Sequence, residues 1–202
     1  MSTLSAFYIL SLVATALGFC TPQSAPNPIA STYPNSATCT INATISILPI
    51  PYALARAFIP AKYAILPGYK SFLSGTGFPS TAYPVVLETT IDHDVQSLGI
   101  RIPDFSSARF SFPFVDLLGD GYSNFRYSPS TILSVNPVAD AGAAAYGQSV
   151  VLSTFDPPCD AYAYSEGTRD IYFEASPIGS STPSVSVRFA TLSSQGPYPL
   201  TL

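Results

Sequence analysis

The chain is 202 residues long, carries a net charge of −4 and contains only 10 % charged residues, well below the usual quarter. It has no cluster of basic residues, so the composition excludes a nucleic-acid-binding surface and a nucleic-acid partner. Hydrophobic residues make up 47 % of the sequence, which is enough to bury a full core. The length is typical of a single domain.

The first residues have the pattern of a secretory signal. Residues 7–17 form an apolar run of signal-peptide length, too short to cross a bilayer. Small residues permit cleavage after Gly18 or after Cys20, and no later stretch is apolar enough to span a membrane. We therefore predict a secreted, extracellular protein with a signal peptide over 1–20, a Pro/Ser-rich linker over 21–37 and a β-barrel-like domain over 38–202.

The chain has three cysteines, Cys20, Cys39 and Cys159, and an odd count leaves one thiol over in an oxidising compartment. Removal of Cys20 with the signal peptide resolves the parity and predicts a disulfide between Cys39 and Cys159. Cleavage after Gly18 would instead leave Cys20 as a spare thiol or as a partner for Cys39. No CxxC pair or zinc-ligand spacing is present, so we predict no metal site.

The stretch around Asn42 combines a strand pattern with a modification motif. Apolar residues occupy every second position from Cys39 to Ile47, which predicts a strand with its apolar side on the core. Asn42-Ala43-Thr44 is an N-glycosylation sequon, and on this register Asn42 lies on the opposite, solvent-facing side. We predict glycosylation at Asn42.

The remaining elements are short and mostly β. Residues 52–75 are the only stretch that predicts helix, as short segments separated by prolines. From residue 83 onward, short alternating runs separated by Gly and Pro predict strands, and the Ala/Gly-rich residues 139–147 predict a short helix or a tight loop. The fold class expected is mainly β, a single-domain antiparallel β-barrel-like fold with a few short helices near residues 52–75.

The most aromatic stretch runs from Arg109 to Tyr127 and predicts a hairpin. Phe110, Phe112 and Phe114 alternate with smaller or polar residues, so they share one face of a strand. Small residues at 119–121 supply the turn. The aromatic face is expected to be either the core of a barrel or the wall of an apolar pocket.

Asp116 is in phase with these phenylalanines, and a buried carboxylate needs a partner. A three-residue loop at 119–121 would pair Asp116 with Asn124 and place Arg126 beside it on the same face. A two-residue loop at 120–121 would place Arg126 on the opposite face. The backbone amides of the 119–121 turn are the alternative partner for the carboxylate.

Asp92-His93-Asp94 contains the only histidine of the chain. A histidine between two carboxylates is a candidate general base or metal ligand. The same three residues also fit a polar turn between strands at 84–91 and 95–102, and this is the interpretation that the pattern favours. A lone histidine argues against a metal site, and no Gly-x-Ser-x-Gly motif supports a serine nucleophile.

Three segments resemble uncharacterised secreted fungal proteins: Phe58–Tyr63, the strands around Asp92–Asp94, and Pro113–Tyr122.

A second set of segments is similar to the acetoacetate decarboxylase family: Tyr127-Ser128-Pro129, Ala141-Gly142 and Tyr146-Gly147. This similarity spans residues 50–192 and implies a conical β-barrel whose interior binds a small carboxylated or apolar molecule. The lysine that forms a Schiff base in that family follows its Tyr-Gly segment. Here Gln148 and Ser149 follow, and no lysine occurs after Lys70, so the resemblance does not imply decarboxylation.

The leading hypothesis is therefore a barrel that binds a small apolar or carboxylate-bearing ligand. The sequence contains no GxGxxG or P-loop motif, so no cofactor is expected, and nothing in it indicates an oligomeric state. An enzyme that uses Asp92, His93, Asp116 or an inward-facing Arg is one alternative, and an extracellular interaction protein without an internal site is another. The candidate ligand-binding residues are Phe110, Phe112, Phe114, Asp116, Arg126 and His93.

Overall fold

The computed structural model describes Cys20 and residues 26–190. The predicted signal peptide, apart from Cys20, lies outside the described residues. Within them, no helix has the length and apolar character needed to cross a membrane.

The protein is mainly β, as predicted, and its strands form one mixed sheet that curls into a half-barrel. Its strands are β1 (Thr38–Pro51), β2 (Ala64–Ile65), β3 (Ala82–Ser97), β4 (Ile100–Ile102), β5 (Phe105–Asp116), β6 (Asn124–Tyr127), β7 (Ser130–Leu133), β8 (Ser149–Asp156), β9 (Ala163–Tyr164), β10 (Ile171–Pro177) and β11 (Val185–Phe189). The helices are α1 (Tyr52–Phe58), α2 (Tyr69–Phe72) and α3 (Pro137–Ala145), so the prediction of short helices near residues 52–75 is confirmed.

The main path through the sheet runs β1-β3-β5-β7-β8-β10-β11, and the shorter strands pair beside it. Neighbouring strands are antiparallel except β7 and β8, which are parallel. The fully antiparallel prediction is wrong at this pair, because α3 carries the chain across before β8 begins. Asn136 starts α3 by accepting hydrogen bonds from the backbone N–H groups of Val138 and Ala139.

Strand β3 organises the interior. Val85, Leu87 and Ile91 alternate along it with less buried residues and point to one side of the sheet, which we call the inner face. Each belongs to a different cluster of buried side chains, with Val85 packed near the helices, Leu87 at the centre and Ile91 beside Cys20. The centre of the half-barrel is therefore filled by side chains.

Asp92-His93-Asp94 lies inside β3, which corrects the prediction of a turn there. The chain reverses later, at Leu98-Gly99, where Ser97 pairs with Ile100. Leu98 and Gly99 have φ of 52° and 77°, the left-handed pair that a two-residue hairpin requires. The acidic residues suggested a loop, but their strand neighbours provide the partners that keep them in the sheet.

Strand β1 is present, but its faces are inverted relative to the prediction. Thr44 pairs with Thr89 and Leu48 with Val85, so these β1 residues share the inner face. Ile45 pairs with Glu88 on the opposite side of the sheet, which we call the outer face, and it is 69 % exposed. The apolar alternation predicted the strand correctly and assigned its core side wrongly.

The structure joins Cys159 to Cys20, with the two Cα atoms 5.2 Å apart, which corrects the predicted Cys39–Cys159 disulfide. Cys39 is a free thiol in a bulge of β1 near the Asp92 carboxylate. Cys159 packs beside Ile91 on the inner face, so the sheet separates it from Cys39. A signal peptide that ended after Cys20 would remove this bond, whereas cleavage after Gly18 would retain it.

Candidate functional site

An apolar cavity of about 210 Å³ lies between helix α1 and the inner face of the sheet. Phe110 and Phe112 of β5 form one wall, which agrees with the sequence-based expectation for these two residues. Leu54 and Phe58 of α1 form the other. The ring of Phe58 stacks on that of Phe112 with 5.5 Å between centroids, so the helix and the sheet are in direct contact at these two lining residues.

The floor and rim of the cavity come from the strands around these walls. Leu48 and Ile50 of β1 lie beside Val85 of β3, and Pro129 and Ser130 complete the lining where the chain enters β7. The described lining residues include no charged group, and Ser130 supplies their one side-chain hydroxyl. The site therefore favours neutral, apolar guests.

Helix α1 is held over the sheet by local interactions. It begins directly after Pro51, and Ala55 is fully buried against the core cluster at this end of the half-barrel. The Arg56 guanidinium donates hydrogen bonds to the carbonyl oxygens of Ile59, Pro60 and Tyr63 at 2.8–3.0 Å. These bonds fix the exit of the helix. Residues 54 and 58 are four apart, so they project from one side of α1, toward the cavity.

Phe114 does not join the other two phenylalanines. Between Phe112 and Val115 the pairing with β6 shifts by one residue, and Phe114 takes a φ of +62° in the left-handed region. Its ring packs on Tyr69 of α2 instead, with 5.6 Å between centroids. This bulge changes the alternation, so Val115 rather than Phe114 continues the buried side of β5.

Asp116 is buried, at 5 % exposure, and bound by backbone amides of the following turn. Its Oδ1 accepts hydrogen bonds from Gly119 N at 2.7 Å and Asp120 N at 3.2 Å, and its Oδ2 accepts one from Gly121 N at 2.9 Å. Asp116 pairs with Asn124, as the longer-loop register predicted. The carboxylate thus organises the loop and does not line the cavity.

Arg126 binds Glu88 rather than Asp116. Its Nη1 lies 2.6 Å from Glu88 Oε1, and Arg109 Nη2 lies 2.9 Å from Glu88 Oε2. Glu88 belongs to the outer face of β3, on the other side of the sheet from the cavity. Neither arginine is available to bind a carboxylate in the cavity.

His93 is buried on β3 and bonded to a second carboxylate. Its Nδ1 lies 2.8 Å from Asp104 Oδ2, and Asp104 Oδ1 accepts a hydrogen bond from Asp94 N at 3.0 Å. Eight residues of β3 separate His93 from Val85, which corresponds to about 27 Å of extended chain. The histidine therefore lies at the other end of the strand from the cavity.

Asp92 lies on the outer face of β3, between Thr90 and the bulge of β1. Its Oδ2 accepts a hydrogen bond from Thr90 Oγ1 at 2.8 Å, and burial raises its pKa despite that bond. Among the described residues, no group of three or more His, Cys, Asp or Glu is arranged to hold a metal ion.

Sequence reasoning missed the β1 and α1 walls of the cavity. The predicted strand ends at Ile47, but β1 continues through Pro49 to Pro51 because an edge strand tolerates proline. With the strand extended, Leu48 and Ile50 fall on the inner face. The spacing of Leu54 and Phe58 in the predicted helical stretch was the available signal for α1.

Comparison of the chain with protein-family models, characterised proteins and solved structures found no match. The similarity to the acetoacetate decarboxylase family thus stays a prediction. Lys62 and Lys70 are both exposed, and the Lys62 ammonium lies 4.8 Å from the centre of the Tyr63 ring. Neither lysine lines the cavity.

Proposed function

We propose that this protein binds a small, neutral, apolar molecule in the cavity between α1 and the sheet. The observation that carries the proposal is the opposition of Phe110 and Phe112 to Leu54 and Phe58 around about 210 Å³ of unfilled space. A dry apolar cavity of about 150 Å³ is large enough to hold benzene. The ligand class is therefore a substituted benzene, a monocyclic hydrocarbon or a short acyl chain.

The residues that line the cavity favour an apolar ligand over a carboxylate-bearing one, the two classes that the sequence left open. An ionised carboxylate placed among these side chains would lose its hydration and meet no cation. Arg109 and Arg126 are engaged by Glu88 on the outer face. We expect neutral ligands to bind and their carboxylate analogues to be rejected.

The enzyme alternative receives less support from the geometry. His93 and Asp104 are buried at the far end of β3, and Asp116 is occupied by the amides of its own turn. A catalytic group must reach the bound molecule within hydrogen-bond distance. The described cavity lining presents Ser130 alone as a polar side chain.

We propose further that the protein acts outside the cell, as the apolar run at residues 7–17 predicts. The Cys20–Cys159 disulfide supports an oxidising compartment. Asn42 pairs with Ile91 and so lies on the inner face of β1, not on the opposite side where the sequence predicted it, but it is exposed there, as a glycosylation site must be. Peptide mass mapping of the protein from its native secretion route tests both modifications.

Calorimetric titration with isobutylbenzene and with benzoate tests the binding proposal. We expect isobutylbenzene to bind with a dissociation constant on the order of 10–100 μM, given the small number of atoms that contact the wall, and benzoate to give no measurable heat. Leu54→Arg places a charge at the mouth of the cavity and should weaken isobutylbenzene binding at least about tenfold, or about 1.4 kcal/mol.

Ala53→Arg is the matched control, because Ala53 is exposed on the same helix and does not line the cavity. It should leave the affinity unchanged. Equal affinity of Leu54→Arg and the unmodified protein, or preferential binding of benzoate, would show that the ligand site lies elsewhere.

A further inference from the structure

Strand β1 forms an unprotected edge of the sheet. Across the described residues it pairs with β3 on one side and with no strand on the other. It spans fourteen residues, Thr38–Pro51, and contains no charged side chain. Natural proteins usually protect such edges with charges, prolines or bulges, and here the bulge near Thr40 and the prolines at 49 and 51 leave residues 41–48 flat and open.

The opposite edge of the sheet is different. Strand β11 has five residues and carries Arg188 near its end. A short edge strand with a charge is a common device against edge-to-edge pairing. Of the two end strands of the main path, β1 therefore offers a partner the longer row of free hydrogen-bonding groups.

The outer side of β1 also presents an apolar row made of Ile41, Ala43, Ile45 and Ile47. The three isoleucines are 54 %, 69 % and 43 % exposed. The row lies next to the outer face of β3, where Glu88 is bound by two arginines and the Asp92 carboxylate, opposite Ile41, accepts a hydrogen bond from Thr90. An exposed apolar row beside an open edge marks an interaction surface.

We propose that two copies of this chain pair through β1 in an antiparallel arrangement, about a two-fold axis at Thr44. This register places Ile41 of each copy opposite Ile47 of the other, and Ala43 opposite Ile45. All four apolar residues of the row then meet apolar residues across the seam. The two sheets become one continuous sheet through the hydrogen-bonding groups of the open edge.

A second copy fits this edge better than a peptide of different composition. An uncharged strand offers no group that would select a charged partner, whereas two identical strands match each other residue for residue. Pairing of β1 with β11 of another molecule would be head-to-tail and would place Arg188 at the edge of the apolar row. The two-fold arrangement closes after two copies.

The size of the seam sets the strength of the dimer. Seven paired residues, 41–47, span about 23 Å, and a single strand pair with one apolar row lies at the low end of specific interfaces. We therefore expect a dissociation constant on the order of micromolar, with monomer and dimer in exchange.

Analytical ultracentrifugation of the full chain tests the proposal. Asn42 lies within the paired stretch, so a glycan there and pairing through β1 exclude each other, and the proposal applies to chains that carry no glycan at Asn42. The protein for this test is therefore made without glycosylation. The unmodified protein should pass from monomer to dimer between about 1 and 200 μM. Ile45→Lys should weaken the dimer at least tenfold, since it places two like charges close together across the axis. Ile178→Lys is the matched control: Ile178 is 55 % exposed and directly follows β10, near the end of the strand order opposite to β1.

Circular dichroism establishes that each variant is folded, and hydrogen exchange gives an independent readout. Amides on the open edge of residues 41–47 should become more protected as the protein concentration rises. A protein that stays monomeric over the whole range, or an Ile45→Lys variant that dimerises as well as the unmodified chain, would overturn the proposal.

Discussion

The two ends of strand β3 differ in the kind of side chain that they bury. At one end, Tyr83 and Val85 lie under α1 and α2 among aromatic and aliphatic side chains, and space is left between helix and sheet. At the other end, His93 is bound to Asp104, and Asp94 binds Asn27 of the preceding segment. The apolar end of the strand borders a cavity, whereas the polar groups at the other end are hydrogen-bonded to one another.

Because of this difference, substitutions at the two ends of β3 should have different effects on ligand binding and on stability. A carboxylate or imidazole that is buried and bonded contributes to stability, and its removal leaves a partner unsatisfied. Where the apolar side chains of α1 and the sheet do not fill the space between them, a ligand can bind without breaking a protein contact. Substitutions at the polar end should therefore change stability more than binding, and substitutions around the cavity should do the reverse.

The largest effect is expected at the polar end. Asp104→Ala removes the partner of His93 Nδ1 and of Asp94 N, and it should lower the free energy of unfolding by about 3–5 kcal/mol. Urea denaturation measures the change. Glu166→Ala, at an exposed position, is the control and should change it by less than about 0.5 kcal/mol. A loss below about 1 kcal/mol for Asp104→Ala would remove the contrast between the two ends.

Asp116→Ala tests whether a buried, hydrogen-bonded carboxylate also stabilises the apolar end of the molecule. Asp116→Ala strips three backbone amides of their acceptor and should lower the free energy of unfolding by about 2–3 kcal/mol. Asp120 also accepts amide hydrogen bonds in this loop, from Tyr122 and Ser123, but is exposed, so Asp120→Ala should have the smaller effect. Equal losses for the two variants would mean that burial of Asp116 adds nothing.

Phe58→Ala tests whether the α1 wall of the cavity contributes to ligand binding. Phe58→Ala removes a half-exposed ring that stacks on Phe112, and it should destabilise the protein by about 1 kcal/mol while weakening isobutylbenzene binding at least about fivefold. Phe72→Ala is the control, since Phe72 is 66 % exposed and does not line the cavity. Both are measured by denaturation and by titration calorimetry. Unchanged affinity in Phe58→Ala would contradict the assigned wall.

Asp92 should give the smallest effect and one that depends on pH. Burial raises its pKa, so the folded state favours the protonated form, and this contribution is present below about pH 4 and lost as pH rises through the raised pKa. Asp92→Asn removes the ionisation while keeping an acceptor for Thr90. The melting temperature of the variant relative to the unmodified protein should therefore be higher at pH 7 than at pH 3.5. A difference that is constant with pH would contradict the sign.

Much of the fold followed from the sequence, because short alternating runs and turn residues mark strands wherever they occur. The helices near residues 52–75 and the hairpin after Arg109 followed from the same local signals. The face of β1 did not follow. Its apolar alternation indicates a strand but does not tell which side meets the core, and tertiary pairing placed Thr44 inside and Ile45 outside.

The site was predictable only in part, for reasons that lie in the backbone. The alternation of Phe110 and Phe112 placed them on one wall correctly, but a bulge at Phe114 cannot be read from side-chain spacing. The turn assigned to Asp92–Asp94 was wrong because partners distant in sequence, such as Asn27 and Asp104, satisfy its polar groups. The disulfide depended on which side of the sheet each cysteine occupies.

Methyl-resolved NMR tests directly whether the cavity beside Phe110 and Phe112 binds a small apolar molecule. The protein is labelled at the methyl groups of Ile, Leu and Val and titrated with isobutylbenzene. We expect progressive, saturable shifts at Leu48, Ile50 and Val85, whose side chains line the cavity, with little change elsewhere. Shifts confined to the exposed row around Ile45, or none at Val85 up to the solubility limit of the ligand, would contradict this expectation.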